Sequence, residues 1–182
     1  MTPARPFEIK ILSAGFAGAD RVQDPMLGGA LRVTINGVVV AEDDEFGLER
    51  SGLGLLRTID RDHDASGPIG FPTLLIHDCG FPWLACSNFG TDWTVRHEGD
   101  EVAIGDVRSF DSHPVVRDLS FPEASCRLSL AEYRDPVIRF AIAVRTAYFT
   151  GGDKVIDDPD LRRIYDDFWR EYDDLLERHR ES

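Results

Sequence analysis

Residues 158–180 read D-P-D-L-R-R-I-Y-D-D-F-W-R-E-Y-D-D-L-L-E-R-H-R and predict a long amphipathic C-terminal helix. Asp158 is suited to cap the helix, and Pro159 fits the first helical position. Large apolar side chains recur at helical spacing on one face, at Leu161, Ile164, Tyr165, Phe168, Trp169, Tyr172, Leu175 and Leu176. Such a stripe needs a partner surface, which we expect to be the chain's own sheet, with a second chain as the alternative.

β-branched runs upstream of this helix predict an antiparallel sheet of hairpins. Residues 31–41 (L-R-V-T-I-N-G-V-V-V-A) place Asn-Gly between two such runs, and this is the strongest short-range hairpin signal. Residues 93–97 and 101–107 alternate apolar and polar side chains around Glu-Gly-Asp, which indicates a second hairpin with one solvated face. We also expect short strands at 7–12 and 73–76, a loop at 13–29, and an end to the first hairpin at the acidic run 42–45.

Two further segments have helical features. Residues 51–63 would place three apolar side chains on one face of a helix, although two glycines oppose it. Ser129 and Glu132 match a capping box that would open a helix running toward Phe149. The alternative for residues 126–149 is a pair of strands, at 126–133 and 137–148, because the second of these runs is rich in β-branched residues. These elements together predict an α+β fold, an antiparallel sheet packed by two or three helices, in a single domain spanning residues 1–182.

The charge of the chain excludes several classes of partner. Twenty basic residues face 33 acidic ones, for a formal net charge of −13. Nucleic acids and anionic membranes require basic surfaces, so neither is expected as a partner. No apolar run approaches the roughly 18 residues of a membrane span, and no secretory leader is evident, so we expect a cytoplasmic protein. All but two of the basic residues are arginine, a bias typical of a GC-rich bacterial genome.

Residues 76–93 (I-H-D-C-G-F-P-W-L-A-C-S-N-F-G-T-D-W) concentrate rare and reactive side chains. His77, Cys79 and Cys86 could supply three zinc ligands, with His97 or Asp92 as the fourth, because zinc prefers thiolate and imidazole donors. Six residues separate the two cysteines, against about two to four in common zinc knuckles. Zinc is the one cofactor that this pattern suggests, and a reactive thiol would need the same residues.

The alternative interpretation of this stretch is a structural corner. Free cysteines are commonly small buried apolar side chains without chemistry of their own. In this interpretation Phe81, Trp83 and Phe89 fill the open end of the sheet around the two cysteines. We favour the corner over the metal site. His63, which lies between two aspartates, is expected to be an ordinary surface histidine.

No nucleotide-binding glycine loop, metalloprotease motif or serine-hydrolase motif is present in the sequence. In size and charge the chain resembles the immunity proteins that neutralise bacterial toxins. The first hypothesis is therefore a non-enzymatic module whose acidic face binds a basic protein. The contact residues would be Trp83, Trp169, Asp166, Asp167, Asp173 and Asp174. The alternatives are a metal- or thiol-dependent protein centred on His77, Cys79 and Cys86, and a structural protein that forms a homodimer through either tryptophan.

Overall fold

The computed structural model describes residues 5–16, 24–66, 74–78, 89–111, 117–150 and 152–180. Nine strands, three α-helices and a short 3-10 helix (Pro122–Ala124) lie within these ranges. The strands and α-helices are, in chain order, β1 (Phe7–Ile11), β2 (Gly15–Phe16), β3 (Leu27–Ile35), β4 (Val38–Gly47), α1 (Leu48–Arg57), β5 (Ile76–His77), β6 (Gly90–Glu98), β7 (Glu101–Asp111), β8 (Arg117–Ser120), β9 (Cys126–Ser129), α2 (Leu130–Phe149) and α3 (Pro159–Arg180). The predicted α+β class with a long C-terminal helix is confirmed.

The first sheet is built on β3, which pairs antiparallel with β1 and β2 along one side and with β4 along the other. The predicted β3–β4 hairpin is confirmed. Asn36 and Gly37 both have positive φ, 50° and 81°, which is the backbone of the two-residue turn that matches the twist of a hairpin.

Two expectations for this sheet are wrong. β2 and the start of β3 fall inside the segment expected to be a loop, residues 13–29. The acidic run also does not end the hairpin, because β4 continues to Gly47. Backbone pairing explains both differences: Asp43 lies opposite Leu31 in the ladder and Gly47 lies opposite Gly28. Among the described residues β4 pairs only with β3, and a strand at the edge of a sheet accepts charged residues.

The second sheet is built on β7. β6 pairs antiparallel with one side of β7, and β8 and β9 pair with the other. The predicted hairpin is confirmed, with Glu98 opposite Glu101 and a positive φ of 67° at Gly99. β5 pairs with the far side of β6, so that His77 lies opposite Gly90 at the edge of this sheet.

α1 begins and ends earlier than residues 51–63 predicted. Gly52 does not break the helix. The absence of a side chain at this position leaves room for Tyr172 of α3 to pack against α1. A Cβ at this position would lie 2.4 Å from the hydroxyl oxygen of Tyr172, so glycine is what lets α3 approach α1 closely. Thr58 follows the last residue of the helix as its C-cap, and its hydroxyl donates to the carbonyl of Leu55 at 2.7 Å.

The capping box that opens α2 is present. The Ser129 hydroxyl accepts a hydrogen bond from the N–H of Glu132, and the Glu132 carboxylate accepts one from the N–H of Ser129. The helical prediction for residues 130–149 is therefore confirmed, and the strand alternative holds only for β9. The β-branched residues do not form a strand because the buried positions, among them Val137, Ala141 and Val144, repeat at helical spacing.

α3 is capped as predicted, because Asp158 Oδ1 accepts from the N–H groups of Asp160 and Leu161 at 2.8 and 3.0 Å. Its apolar stripe packs against α1 and α2, so the expectation that a sheet would cover it is wrong. The ring of Trp169 lies 4.5 Å from that of Tyr148, centroid to centroid. A helix pair offers the same apolar surface as a sheet, and the periodicity of α3 cannot distinguish them.

One contiguous apolar core joins the two sheets and the three helices. The ring of Phe7 in β1 lies 5.0 Å from that of Tyr133 in α2 and 5.9 Å from that of Trp93 in β6. Among the described residues, no helix is both long enough and apolar enough to cross a membrane.

Candidate functional site

The predicted zinc site can be judged only at His77, because Cys79 and Cys86 lie outside the described residues. The His77 side chain is buried, with Nδ1 3.2 Å from the nearer carboxylate oxygen of Asp78. Burial, assisted by the positive charge of Arg50, lowers the pKa of His77 to about 4. The ring is therefore neutral at pH 7, which is the form that binds metals, but burial also serves a packed corner.

Asp92 and His97, the two alternatives predicted for the fourth zinc ligand, form hydrogen bonds with other residues. Asp92 holds His63 through a hydrogen bond of 2.7 Å, and His97 Nε2 lies 3.1 Å from the carbonyl oxygen of Thr58. Within the described ranges, no three His, Cys, Asp or Glu side chains are grouped to hold a metal ion. Zinc binding by His77 with the two cysteines stays a prediction.

The predicted interface residues differ in their accessibility. Trp169 is 5% exposed and belongs to the core, so it offers no surface to a second chain. Its burial has a simple cause, since the stripe that it belongs to covers α2. Trp83 lies outside the described residues. The homodimer alternative therefore loses one of its two anchors.

The four aspartates predicted on α3 are placed on its outer surface, and three of them pair with arginines of the same chain. These pairs are Asp166 with Arg162, Asp167 with Arg170, and Asp173 with Arg145. Asp174 is exposed and has no ion-pair partner within the described part of the chain. Intramolecular pairing offsets much of the charge that α3 would offer to a partner.

A more available acidic surface lies just before and at the start of α3. We call residues 152–161 the acidic segment. Its four aspartates, at positions 153, 157, 158 and 160, are exposed, and so are Val155 (52%) and Leu161 (38%). Among the described residues, Asp160 is the one of the four in an ion pair, an exposed and loose one with Arg163 at 3.6 Å. Lys154 is the segment's only basic residue and is buried. Its Nζ lies 3.4 Å from the ring centroid of Phe16 and 4.8 Å from that of Tyr148, a cation–π arrangement.

The structure also forms a histidine–carboxylate pair that the sequence did not indicate. His63, in the turn after α1, has Nε2 2.7 Å from Oδ1 of Asp92 in β6. The Asp92 side chain is buried and also accepts from the N–H of Leu75 at 3.2 Å. The backbone of His63 forms a bridge with Val95, which fixes the turn against β6. A carboxylate anchored in this way holds an imidazole in one orientation.

His63 lines a cavity of about 240 Å³ between the end of α1 and the second sheet. The lining residues are Gly54, Arg57, Thr58, Arg61, Asp62, His63, Leu74 and Leu75. The lining combines charged and polar side chains with two leucines, and such a mixture of polar and apolar groups is the general composition of a small-molecule site. No local pattern in the sequence indicates this arrangement, because His63 and Asp92 are 29 positions apart and meet only through the pairing of the turn with β6.

Comparisons of the chain with models of protein families, with curated proteins and with solved structures found no match.

Proposed function

We propose that this chain is a cytoplasmic protein-binding module that engages a basic partner protein through the acidic segment. The observation that supports the proposal is the burial of Lys154 beneath Phe16 and Tyr148. The ammonium group is thereby withdrawn from the surface, and the four aspartates of the segment stay exposed around Val155 and Leu161. The surface thus combines negative charge with two apolar contacts.

Each part of this surface has a distinct physical role in binding. Exposed carboxylates raise the association rate of a basic partner and select against acidic ones, although each exposed ion pair contributes little affinity. Apolar side chains at the centre of an interface supply most of the affinity once water is excluded. Val155 and Leu161 therefore act as the anchors, and the aspartates around them set the partner's charge.

The size and the net charge of −13 also favour a more specific form of the proposal, a toxin-neutralising immunity protein. Its partner would be a basic toxin encoded beside it, covered by the acidic segment and Asp174. This form rests on the resemblance in size and charge.

The test uses the products of the reading frames adjacent to the gene. Each basic product is purified and titrated against the chain by fluorescence anisotropy at 50, 150 and 300 mM NaCl. We expect one product to bind with a Kd below about 1 μM at 150 mM and to weaken steeply with salt. The variant D153N/D157N/D160N should weaken binding at least tenfold, and Val155→Ser should weaken it without changing the salt dependence. Asp158 is left intact because it caps α3.

The matched control removes three exposed carboxylates elsewhere, with the variant D100N/E123Q/D135N. It carries the same change in net charge, so a loss of affinity equal to that of the first variant would mean that total charge, and not the acidic segment, governs binding. That result would overturn the assignment to this surface. Binding of no basic product below about 10 μM would overturn the proposed function itself.

A further inference from the structure

We propose that the His63–Asp92 pair and the adjoining cavity form a hydrolytic site for small uncharged carboxylic esters, with His63 as the general base. The site shares no residue with the acidic segment, so its failure would leave the partner-binding proposal unaffected.

Asp92 orients the imidazole of His63, the proposed general base. Asp92, 5% exposed, accepts at Oδ1 from both the imidazole of His63 and the backbone N–H of Leu75. A carboxylate fixed by two donors favours the imidazole tautomer that carries its proton on Nε2. The other ring nitrogen, Nδ1, then carries a lone pair. His63 lines the cavity with 17% of its side chain exposed, and Nε2 faces Asp92, so the proposal assigns Nδ1 as the proton acceptor that meets a bound molecule.

Water is the nucleophile that this geometry provides. The hydroxyl group among the lining residues belongs to Thr58, and it is engaged by Tyr133 Oη at 2.6 Å and by the carbonyl of Leu55 at 2.7 Å. Water transfers a proton to Nδ1 of His63 as its oxygen bonds to the ester carbonyl carbon. Collapse of the tetrahedral intermediate breaks the bond to the alcohol oxygen, which takes the proton back from Nδ1. The products are a carboxylic acid and an alcohol.

The charges around the cavity select the substrate class. Arg57 is held by a bidentate pair with Glu171, and Asp62 contributes a further negative charge. A dianionic phosphate would therefore gain little here. A neutral ester develops one negative charge on its carbonyl oxygen in the transition state, and Arg61 can stabilise it. Arg61 is available because its pair with Asp60, at 3.7 Å, is exposed and weak.

The size of the cavity limits the substrate further. About 240 Å³ corresponds to roughly eight water molecules at liquid density and lies below the volume of most drug-sized sites. Leu74 and Leu75 are the large apolar side chains of the lining. Acyl groups of a few carbon atoms fit within this space, and longer chains would extend beyond it.

The test measures hydrolysis of p-nitrophenyl acetate by the full chain. We expect kcat/KM to exceed the second-order rate constant of free imidazole by at least about a hundredfold. Positioned acid–base catalysis contributes about 10²- to 10⁴-fold, so His63→Gln should lose at least about a hundredfold. Asp92→Asn should lose at least tenfold. His97→Gln is the matched control, because His97 does not line the cavity and glutamine can still donate to the Thr58 carbonyl.

Three results would overturn the proposal. The first is a wild-type rate less than about a hundredfold above that of free imidazole, and the second is an equal loss in the His97→Gln variant. The third does not depend on any variant folding: ¹⁵N NMR of the wild-type imidazole should show the proton of neutral His63 on Nε2, and a proton on Nδ1 would remove the base from the cavity. p-Nitrophenyl phosphate should be hydrolysed far more slowly than the acetate.

Discussion

The burial of His77 predicts a specific loss of stability in mild acid. The pKa of this imidazole falls from 6.5 to about 4 in the folded chain, first because burial penalises the charged ring and second because Arg50 is positive. Between pH 6.5 and pH 4, His77 is therefore protonated in the unfolded chain and neutral in the folded chain. The stabilising contribution is complete above pH 6.5 and is lost as the pH falls from 6.5 to 4.

The size of this loss follows from the two pKa values of the imidazole, one in the unfolded chain and one in the folded chain. A difference of one between these pKa values corresponds to about 1.4 kcal/mol, so His77 alone lowers the free energy of unfolding by about 2 kcal/mol at pH 5 and about 3 kcal/mol at pH 4. Domains of this size have a total stability of about 5–15 kcal/mol. The effect is thus a large part of the whole, and it is separable from the titration of surface carboxylates.

Urea unfolding at pH 7, 6, 5 and 4, followed by circular dichroism, measures the effect in the wild type and in His77→Gln. Glutamine does not titrate, so the wild type should lose about 2 kcal/mol more than the variant between pH 7 and pH 5. The carboxylate of Asp78, 3.2 Å from Nδ1, opposes burial by favouring the protonated ring. If the wild type instead gains stability relative to the variant as the pH falls, Asp78 dominates and the reasoning from burial is refuted.

Three substitutions test a helix–helix contact, a helix cap and a buried hydrogen bond, each by urea unfolding at pH 7. Gly52→Ala should destabilise by about 1–3 kcal/mol, because its Cβ would lie 2.4 Å from the Tyr172 hydroxyl oxygen. Ser129→Ala should cost about 1 kcal/mol by removing the cap of α2, and a neutral result would mean that the capping box adds nothing. Tyr133→Phe should cost about 1–2 kcal/mol, because it removes a buried hydrogen bond to Thr58; equal stability would show that bond to be dispensable.

Gly105→Ala is the matched control for the first of these substitutions. Gly105 lies in β7, and a Cβ there would meet nothing within 4 Å. We expect a change within about 0.5 kcal/mol. If both alanine variants lose the same stability, the loss comes from the glycine backbone and not from the contact between α1 and α3.

Local chemistry accounts for what could be predicted from the sequence. The turn at Asn36-Gly37, the capping box at Ser129 and the cap at Asp158 each depend on residues within a few positions of one another. These signals fix the hairpins and the starts of the helices wherever the fold places them. The fold class follows because antiparallel hairpins and amphipathic helices combine in few ways.

Long-range packing accounts for what could not be predicted. Gly52 weakens the pattern for α1 and is favourable only because Tyr172, 120 positions later, occupies the space beside it. The surface that covers α3 depends on where α2 lies, and the periodicity of α3 does not encode the position of α2. The candidate site could not be predicted from the sequence for the same reason. A surface histidine and a histidine held by a buried carboxylate can have the same local sequence. His63 is distinguished only by its contact with Asp92.

The C-terminal helix also connects the fold to the candidate site. α3 holds the end of α1 through the bidentate pair between Arg57 and Glu171, and it holds the following turn through Arg178, 3.1 Å from Asp60. That turn carries His63 to the wall of the cavity. Exposed pairs of this kind stabilise little individually, but they add to the backbone bridge between His63 and Val95 in restraining this part of the chain. The C-terminal helix therefore also helps to position His63, whose imidazole is held by the buried carboxylate of Asp92.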